Sequence, residues 1–330
     1  MLLTAKSVRM FTWLSAILLT LTVFTQLPLS TLPDAIARLS PAEWIMWIAV
    51  NLLTIGLMVA RWQVMTRALG LMLGFVPLLL VRQAGQLVSF ITPGPQFGGE
   101  PMQVLWLWKN YHLSGHMALL AVGLDRFLEL WINFAVLLFA VLLLLLTATN
   151  DTATWQIVAG LLTALVLLLS ALGWALIGHP ATISAGLQRL TRRWQNHAVL
   201  GKLDKQWNQI SVNLLALTRE HKWSLLVALV LSLLGWAGMV LELWLLLGFF
   251  APSADVDGFI VLFVATRLAF LLPLPGGIGT LEAAVFWACQ GLGLPATAAL
   301  GIIVLMRLRD AVIMSCGMTA LRYLNSRLPR

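Results

Sequence analysis

Two glutamates, Glu100 and Glu282, each follow a proline–glycine pair with the same spacing, Pro-Gly-x5-Glu. The first copy is Pro93-Gly94 in TPGPQFGGEPMQVLW (92–106), which also holds Gly98 and Gly99. The second is Pro275-Gly276 in PLPGGIGTLEAAVFW (273–287), followed by Gly277 and Gly279. The copies lie 182 residues apart. Apolar residues and tryptophans follow each glutamate, then a turn signal, KNYHLSG at 109–115 and QGLGLPA at 290–296. Arg126 and Arg307 come next, at an offset of 181, each with an acid three residues on, Glu129 and Asp310. Asp125 and Arg309 sit beside them, and Arg82 and Arg267 precede the two motifs at unequal distances. Apolar composition inflates chance similarity, so only the polar and turn residues are weighed. Their order, Arg, Pro-Gly, Glu, turn, Arg, acid, occurs twice.

These residue types suit the binding of an anion. Proline and glycine end the preceding helix. The helix that follows starts with free backbone N–H groups and partial positive charge, which can hold a phosphate. Glu100 and Glu282 fall in that first turn, where they could cap their own helices or pair with arginines. An Arg or Asp at mid-membrane costs about 2.5 to 3.5 kcal/mol, so Arg82, Arg126, Arg267, Arg307 and Arg309 are not expected to face lipid. Asp125, Arg126 and Glu129 could satisfy one another, as could Arg307 or Arg309 with Asp310. Arg82 and Arg267 have no acid nearby in sequence and are the residues expected to meet an anionic ligand, with Gln83 and Gln86 lining the same cavity. His112 and His116, one helical turn apart, offer a weaker acid–base or metal pattern that the second copy lacks.

The elements carrying these residues are membrane helices. Sixty per cent of the 330 residues are hydrophobic and 10% are charged, against about a quarter charged in soluble domains. Stretches of crossing length fall at roughly 10–28, 43–61, 71–91, 115–148, 153–178, 223–250 and 258–274, and a shorter piece at 281–290 precedes 296–320. The stretch 115–148 is too long for one upright helix and should be tilted or broken. The expected fold is an all-α polytopic bundle of about eight crossing or re-entrant segments. It comprises an N-terminal helix and outer loop (1–42), a first repeat (43–178), a linker (179–222) and a second repeat (223–330). Lys6 and Arg9 before the first apolar run outline a signal peptide, but a retained helix is the preferred reading. Cys289 and Cys316 lie in apolar segments and read as small buried hydrophobes.

The net charge of +8 is read as loop charge meeting anionic lipid, not as a nucleic-acid surface. Under the positive-inside rule the N-terminus, 61–70, 179–222 and the tail are cytoplasmic, and 30–43, 149–152 and 251–257 face outward. The two motifs then follow helices of opposite direction, as in inverted-repeat transporters. In the linker, Ile183, Leu187, Leu190 and Trp194, and then Leu200, Leu203, Trp207, Ile210 and Leu214, recur at helical spacing among basic residues. That pattern predicts an amphipathic helix on the inner leaflet.

On GPQFGGEPMQVLWLW and LPLPGGIGTLEAAVFWA, with the intramembrane Arg and Asp after the first, the chain resembles the flippase-like transmembrane region of lysylphosphatidylglycerol synthases. The second stretch is the more specific, close to that family's Pro-Gly-Gly-x-Gly-x-x-Glu. The resemblance covers roughly 43–320. It implies movement of a lipid such as aminoacylated phosphatidylglycerol from the inner to the outer leaflet. Stand-alone relatives are associated with other lipids, including hopanoids and polyprenol-linked sugars. The bifunctional enzymes carry a soluble aminoacyltransferase domain after the membrane region; this chain ends at Arg330, so that activity is not expected. Pro95 and Phe97 stand where the second motif has Gly277 and Gly279, which makes an asymmetric site the expectation.

The preferred function is therefore a lipid flippase of the inner membrane, multi-pass with both termini cytoplasmic, performing translocation and no covalent chemistry. Its partners would be membrane phospholipids and no nucleic acid, and self-association is compatible with the sequence. There is no Walker-type loop for ATP, and nothing calls for a cofactor or a metal. Two alternatives stand beside it: an intramembrane enzyme acting on lipid phosphates, and a scaffold for a partner lipid synthase docked on the basic linker.

Overall fold

The computed structural model describes residues 5–92, 98–147, 152–178, 210, 212–214, 217 and 220–328. Pro93 and Gly94 of the first motif, and most of the linker, lie outside the described residues. Among the described residues all regular structure is helical. In chain order the helices are α1 (Ala5–Phe24), α2 (Leu32–Ala37), α3 (Pro41–Ala68), α4 (Phe75–Ile91), α5 (Glu100–Asn110), α6 (Gly115–Thr147), α7 (Thr152–Gly178), α8 (Lys222–Phe250), α9 (Val256–Ala269), α10 (Thr280–Gly291) and α11 (Ala296–Ser326).

Local chemistry sets several boundaries. Ser40 opens α3 with a reciprocal cap: its hydroxyl accepts from the Glu43 N–H at 3.3 Å while its own N–H donates to Glu43 Oε2 at 2.7 Å. Pro41 follows at the first helical position, where no N–H is needed. Asp255 caps α9 by accepting from the Gly258 N–H at 2.8 Å. His112 takes a left-handed φ of 54° after α5 and so helps turn the chain toward α6.

Four described helices are long and apolar enough to cross a membrane: Pro41–Ala68, Gly115–Leu146, Ala153–Leu176 and Lys222–Phe250. Large apolar side chains lie on their outer faces, Leu146 being 83% exposed and Trp174 66%, as expected where lipid is the solvent. The protein is a polytopic helical bundle. At 33 residues α6 is one continuous helix of about 50 Å, tilted or protruding if it spans and not broken. The expected crossing at 258–274 is corrected: α9 has only 14 residues before the chain turns at Pro275–Gly277. At the linker's end, Ile210 and Leu214 are buried in a cluster with Leu120 of α6, so they pack on protein where a lipid-facing side was expected. Cys289 is buried as expected, whereas Cys316 is exposed.

The helix–break–helix unit occurs twice. Gly85 of α4 lies against Gln103, and Gly99 lies against Gly85 and Ser89, so α5 folds back along α4. Gly258 at the start of α9 lies beside Leu292 at the end of α10, which gives a second hairpin of the same kind. Each hairpin packs on a long helix of the other half, α4 on α11 and α9 on α6. The helices that precede the hairpins, α3 and α8, form the most extensive interface. Thr54 faces Gly238 and Met58 faces Gly235, so the residue numbers run in opposite senses along this seam. These two corresponding helices are therefore antiparallel, the relation inverted repeats would give.

Candidate functional site

In each half the motif glutamate caps its helix and meets the arginine that follows it. Glu100 Oε2 accepts from the Gly98 N–H at 2.8 Å, and Glu282 Oε2 accepts from the Gly279 N–H at 2.8 Å. Arg307 clasps Glu282 through both oxygens, Nε to Oε1 at 2.7 Å and Nη2 to Oε2 at 2.8 Å. It also donates to the carbonyls of Gly276 and Gly277 at 3.2 and 3.0 Å. The Gly277 carbonyl also accepts from Thr280 Oγ1 at 3.2 Å. Gly276 and Gly277 hold φ of 56° and 62°, with Gly279 at 84°, a turn that side chains with a Cβ disfavour. In the first half Arg126 Nε lies 2.7 Å from Glu100 Oε1, close enough for an ion pair but not aligned as a hydrogen bond. Arg126 and Arg307 each also meet the acid three residues on, Glu129 at 3.3 Å and Asp310 at 3.1 Å. The register read from sequence thus corresponds to the same Glu–Arg–acid contact made twice.

The N–H groups just before each helix have protein partners. Besides the Glu100 and Glu282 caps, the Gly99 N–H donates to Ser89 Oγ at 2.9 Å. At each helix start, the glycine N–H groups before the first turn are thus taken by the protein's own acceptors.

The remaining charges settle differently from expectation. Arg82 is paired, with Nη1 3.0 Å from Asp125 Oδ2 and Nη2 3.3 Å from Glu129 Oε2. The acids come from α6, more than forty residues away, which inspection of near neighbours in sequence could not find. Asp125 is bound by Arg61 as well, at 2.8 Å, and not by Arg126. Arg61 is fully buried on α3, so its reading as a cytoplasmic loop charge is corrected. Arg309 pairs with Asp310 at 2.9 Å and with Glu242 of α8 at 2.6 Å. Arg61 and Glu242 were not singled out, although they stand 181 residues apart, the offset of Arg126 and Arg307. A lone charge inside an apolar run was the available signal.

Arg267 has no carboxylate at ion-pair distance among the described residues. Its guanidinium lies over Trp236 and Phe263, 4.8 and 5.4 Å from the ring centroids. It lines a cavity of about 220 Å³ between the halves. The first half contributes Arg82, Gln83, Gln86, Arg126 and Glu129, with Asn51 and Thr54 from α3. The second half contributes Glu242, Arg267, Gly276, Arg309 and Asp310. Glu100, Asp125, Glu282 and Arg307 stand behind this lining and are not part of it. His112 and His116 are also elsewhere, and His116 lies 3.3 Å from exposed Ser114. Among the described residues no group of three His, Cys, Asp or Glu side chains is placed to hold a metal ion. Six arginines (61, 82, 126, 267, 307 and 309) face six carboxylates (100, 125, 129, 242, 282 and 310) across the two halves, so the buried set is neutral. The cavity wall itself carries more Arg than acid.

Comparison with known proteins bears on this geometry. Residues 9–317 match the family described as the lysylphosphatidylglycerol synthase TM region. A UPF0104 membrane protein of Methanothermobacter thermautotrophicus is 24% identical over 307 residues, covering 89% of this chain and 88% of that protein. A second UPF0104 membrane protein, from Methanocaldococcus jannaschii, is 22% identical over 299 residues with the same coverage.

Proposed function

This chain belongs to the family of the lysylphosphatidylglycerol synthase TM region, and from that premise we propose that it is a lipid transporter. It is a multi-pass membrane protein. In this reading it carries a phospholipid between the leaflets of the cytoplasmic membrane, with both termini on the cytoplasmic side. The phosphate enters the cavity between the halves while the acyl chains stay in the bilayer.

The observation that carries the reading is Arg267. A cation inside a membrane protein is costly unless something neutralises it. Arg82, Arg126 and Arg309 have carboxylates; Arg267 has aromatic faces and a cavity in front of it. An anionic group supplied from outside completes it. Inverted-repeat transporters place substrate between their halves, where this cavity lies.

The test uses the purified chain in vesicles that carry a lipid fluorescently labelled on its acyl chain. Translocation is followed by quenching from the outside. Wild type should exceed empty vesicles, and Arg267→Ala should fall toward the empty-vesicle rate. Equal rates for the two proteins would remove Arg267 from the transport path.

A further inference from the structure

Two side chains that line the cavity with Arg267 each carry a buried acceptor. Glu242 is 6% exposed; its Oε2 accepts from Arg309, while its Oε1 has no partner. Gln83, from the other half, is also 6% exposed, and its Oε1 has no partner. Buried acceptors without a donor are rare because the lost solvation is not replaced. The cavity therefore offers one cation in want of an anion and two acceptors in want of donors, one of them charged.

A bare phosphate answers only half of this. It would satisfy Arg267 and bring its own oxygens toward a carboxylate. A phosphoglycerol headgroup supplies hydroxyl donors but no positive charge for Glu242. A phosphocholine supplies the charge but no N–H. A primary ammonium supplies three N–H donors together with the charge. A phosphate linked to a primary ammonium is overall neutral, like the buried charge set it would join.

We propose, building on the transporter reading, that the site selects a zwitterionic lipid headgroup of the phosphoethanolamine type. The phosphate lies at Arg267, and the ammonium donates to Glu242 Oε1 and Gln83 Oε1. Because these acceptors come from opposite halves, one headgroup bridges the seam between them.

The test measures binding, so that it stands apart from transport. The purified full chain in detergent is titrated by native mass spectrometry with phosphatidylethanolamine, phosphatidylcholine and phosphatidylglycerol of matched acyl chains. Phosphatidylethanolamine should bind about tenfold more tightly than either of the others, the size of one lost buried hydrogen bond. Glu242→Gln and Gln83→Leu should each reduce that preference, and Arg267→Gln should weaken all three lipids alike. Equal affinity for the ethanolamine and choline lipids would overturn the proposal. So would a preference that survives in both acceptor variants. Soluble phosphoethanolamine raising the melting temperature as much as the lipid does would assign the site to a free phosphoamine and overturn the lipid source. Should the affinity order hold while vesicles show no lipid movement, the transport reading falls and the headgroup assignment remains.

Discussion

Glu282 and Arg267 separate two kinds of buried charge. The Glu282 side chain is 4% exposed and serves one N–H and one guanidinium at once. Removing its charge leaves Arg307 with Asp310 as its one remaining carboxylate among the described residues and weakens the Gly279 cap, and breaking such a buried pair costs on the order of 3 kcal/mol. Glu282→Gln should therefore melt well below wild type in detergent. Glu100→Gln should shift the melting temperature less, because Glu100 and Arg126 are each 20% exposed and poorly aligned. Equal shifts would refute this ordering by burial. Arg267→Ala removes no ion pair, so its melting temperature should stay near wild type while translocation falls. A large stability loss there would make Arg267 a structural residue. The Glu100–Arg126 and Glu282–Arg307 pairs were legible as a repeated register. The partners of Arg82 were not, since Asp125 and Glu129 lie 43 and 47 residues away and only the fold of α6 against α4 brings them close.

The hairpins depend on glycine where two backbones meet. A Cβ on Gly99 would sit on the Gly85 carbonyl, and no side-chain rotation relieves a clash with backbone. Gly99→Ala should push α5 off α4, displace Gln103 and Ser89 from the cavity side, and lower the yield of folded protein. Gly123→Ala on α6, which meets nothing within 4 Å, should melt at or slightly above wild type. Size-exclusion profiles and melting curves of the two variants check the contrast, and a well-folded Gly99→Ala would show that the close approach is dispensable. Sequence marked the breaks, because Pro-Gly and the glycine runs announce them. It overestimated the segment ending at 274, where apolar residues continue through the turn and hydropathy cannot tell helix from loop. It left open whether the glutamates would cap or pair, and side-chain reach lets each do both.

The antiparallel seam of α3 and α8 joins the two halves as a whole. A Cβ at position 238 would stand 3.4 Å from that of Thr54, close to the separation a disulfide needs. In a background with Cys289 and Cys316 replaced by Ala, Thr54→Cys with Gly238→Cys should cross-link on oxidation. If the halves move against each other during transport, the cross-link stops translocation and a reductant restores it. Unchanged rates in the cross-linked protein would mean that lipid passes without motion at this seam. The doubling of the motif pointed to two related halves, but not to which helices would touch. That is decided by small residues such as Gly235, Gly238 and Gly317, where long-range neighbours approach closely. The exchange of partners, α4 on α11 and α9 on α6, bears on synthesis. The charges of the first half find their counterparts within residues 61–129, so that half is electrically complete as it leaves the ribosome. Its α4 has α3 and α5 against it but nonetheless lacks α11, its most extensive partner, until that helix has been inserted. The nascent protein must therefore wait in the membrane with its ions already matched and one flank of α4 open, and a helix made some two hundred residues later is the one that closes it.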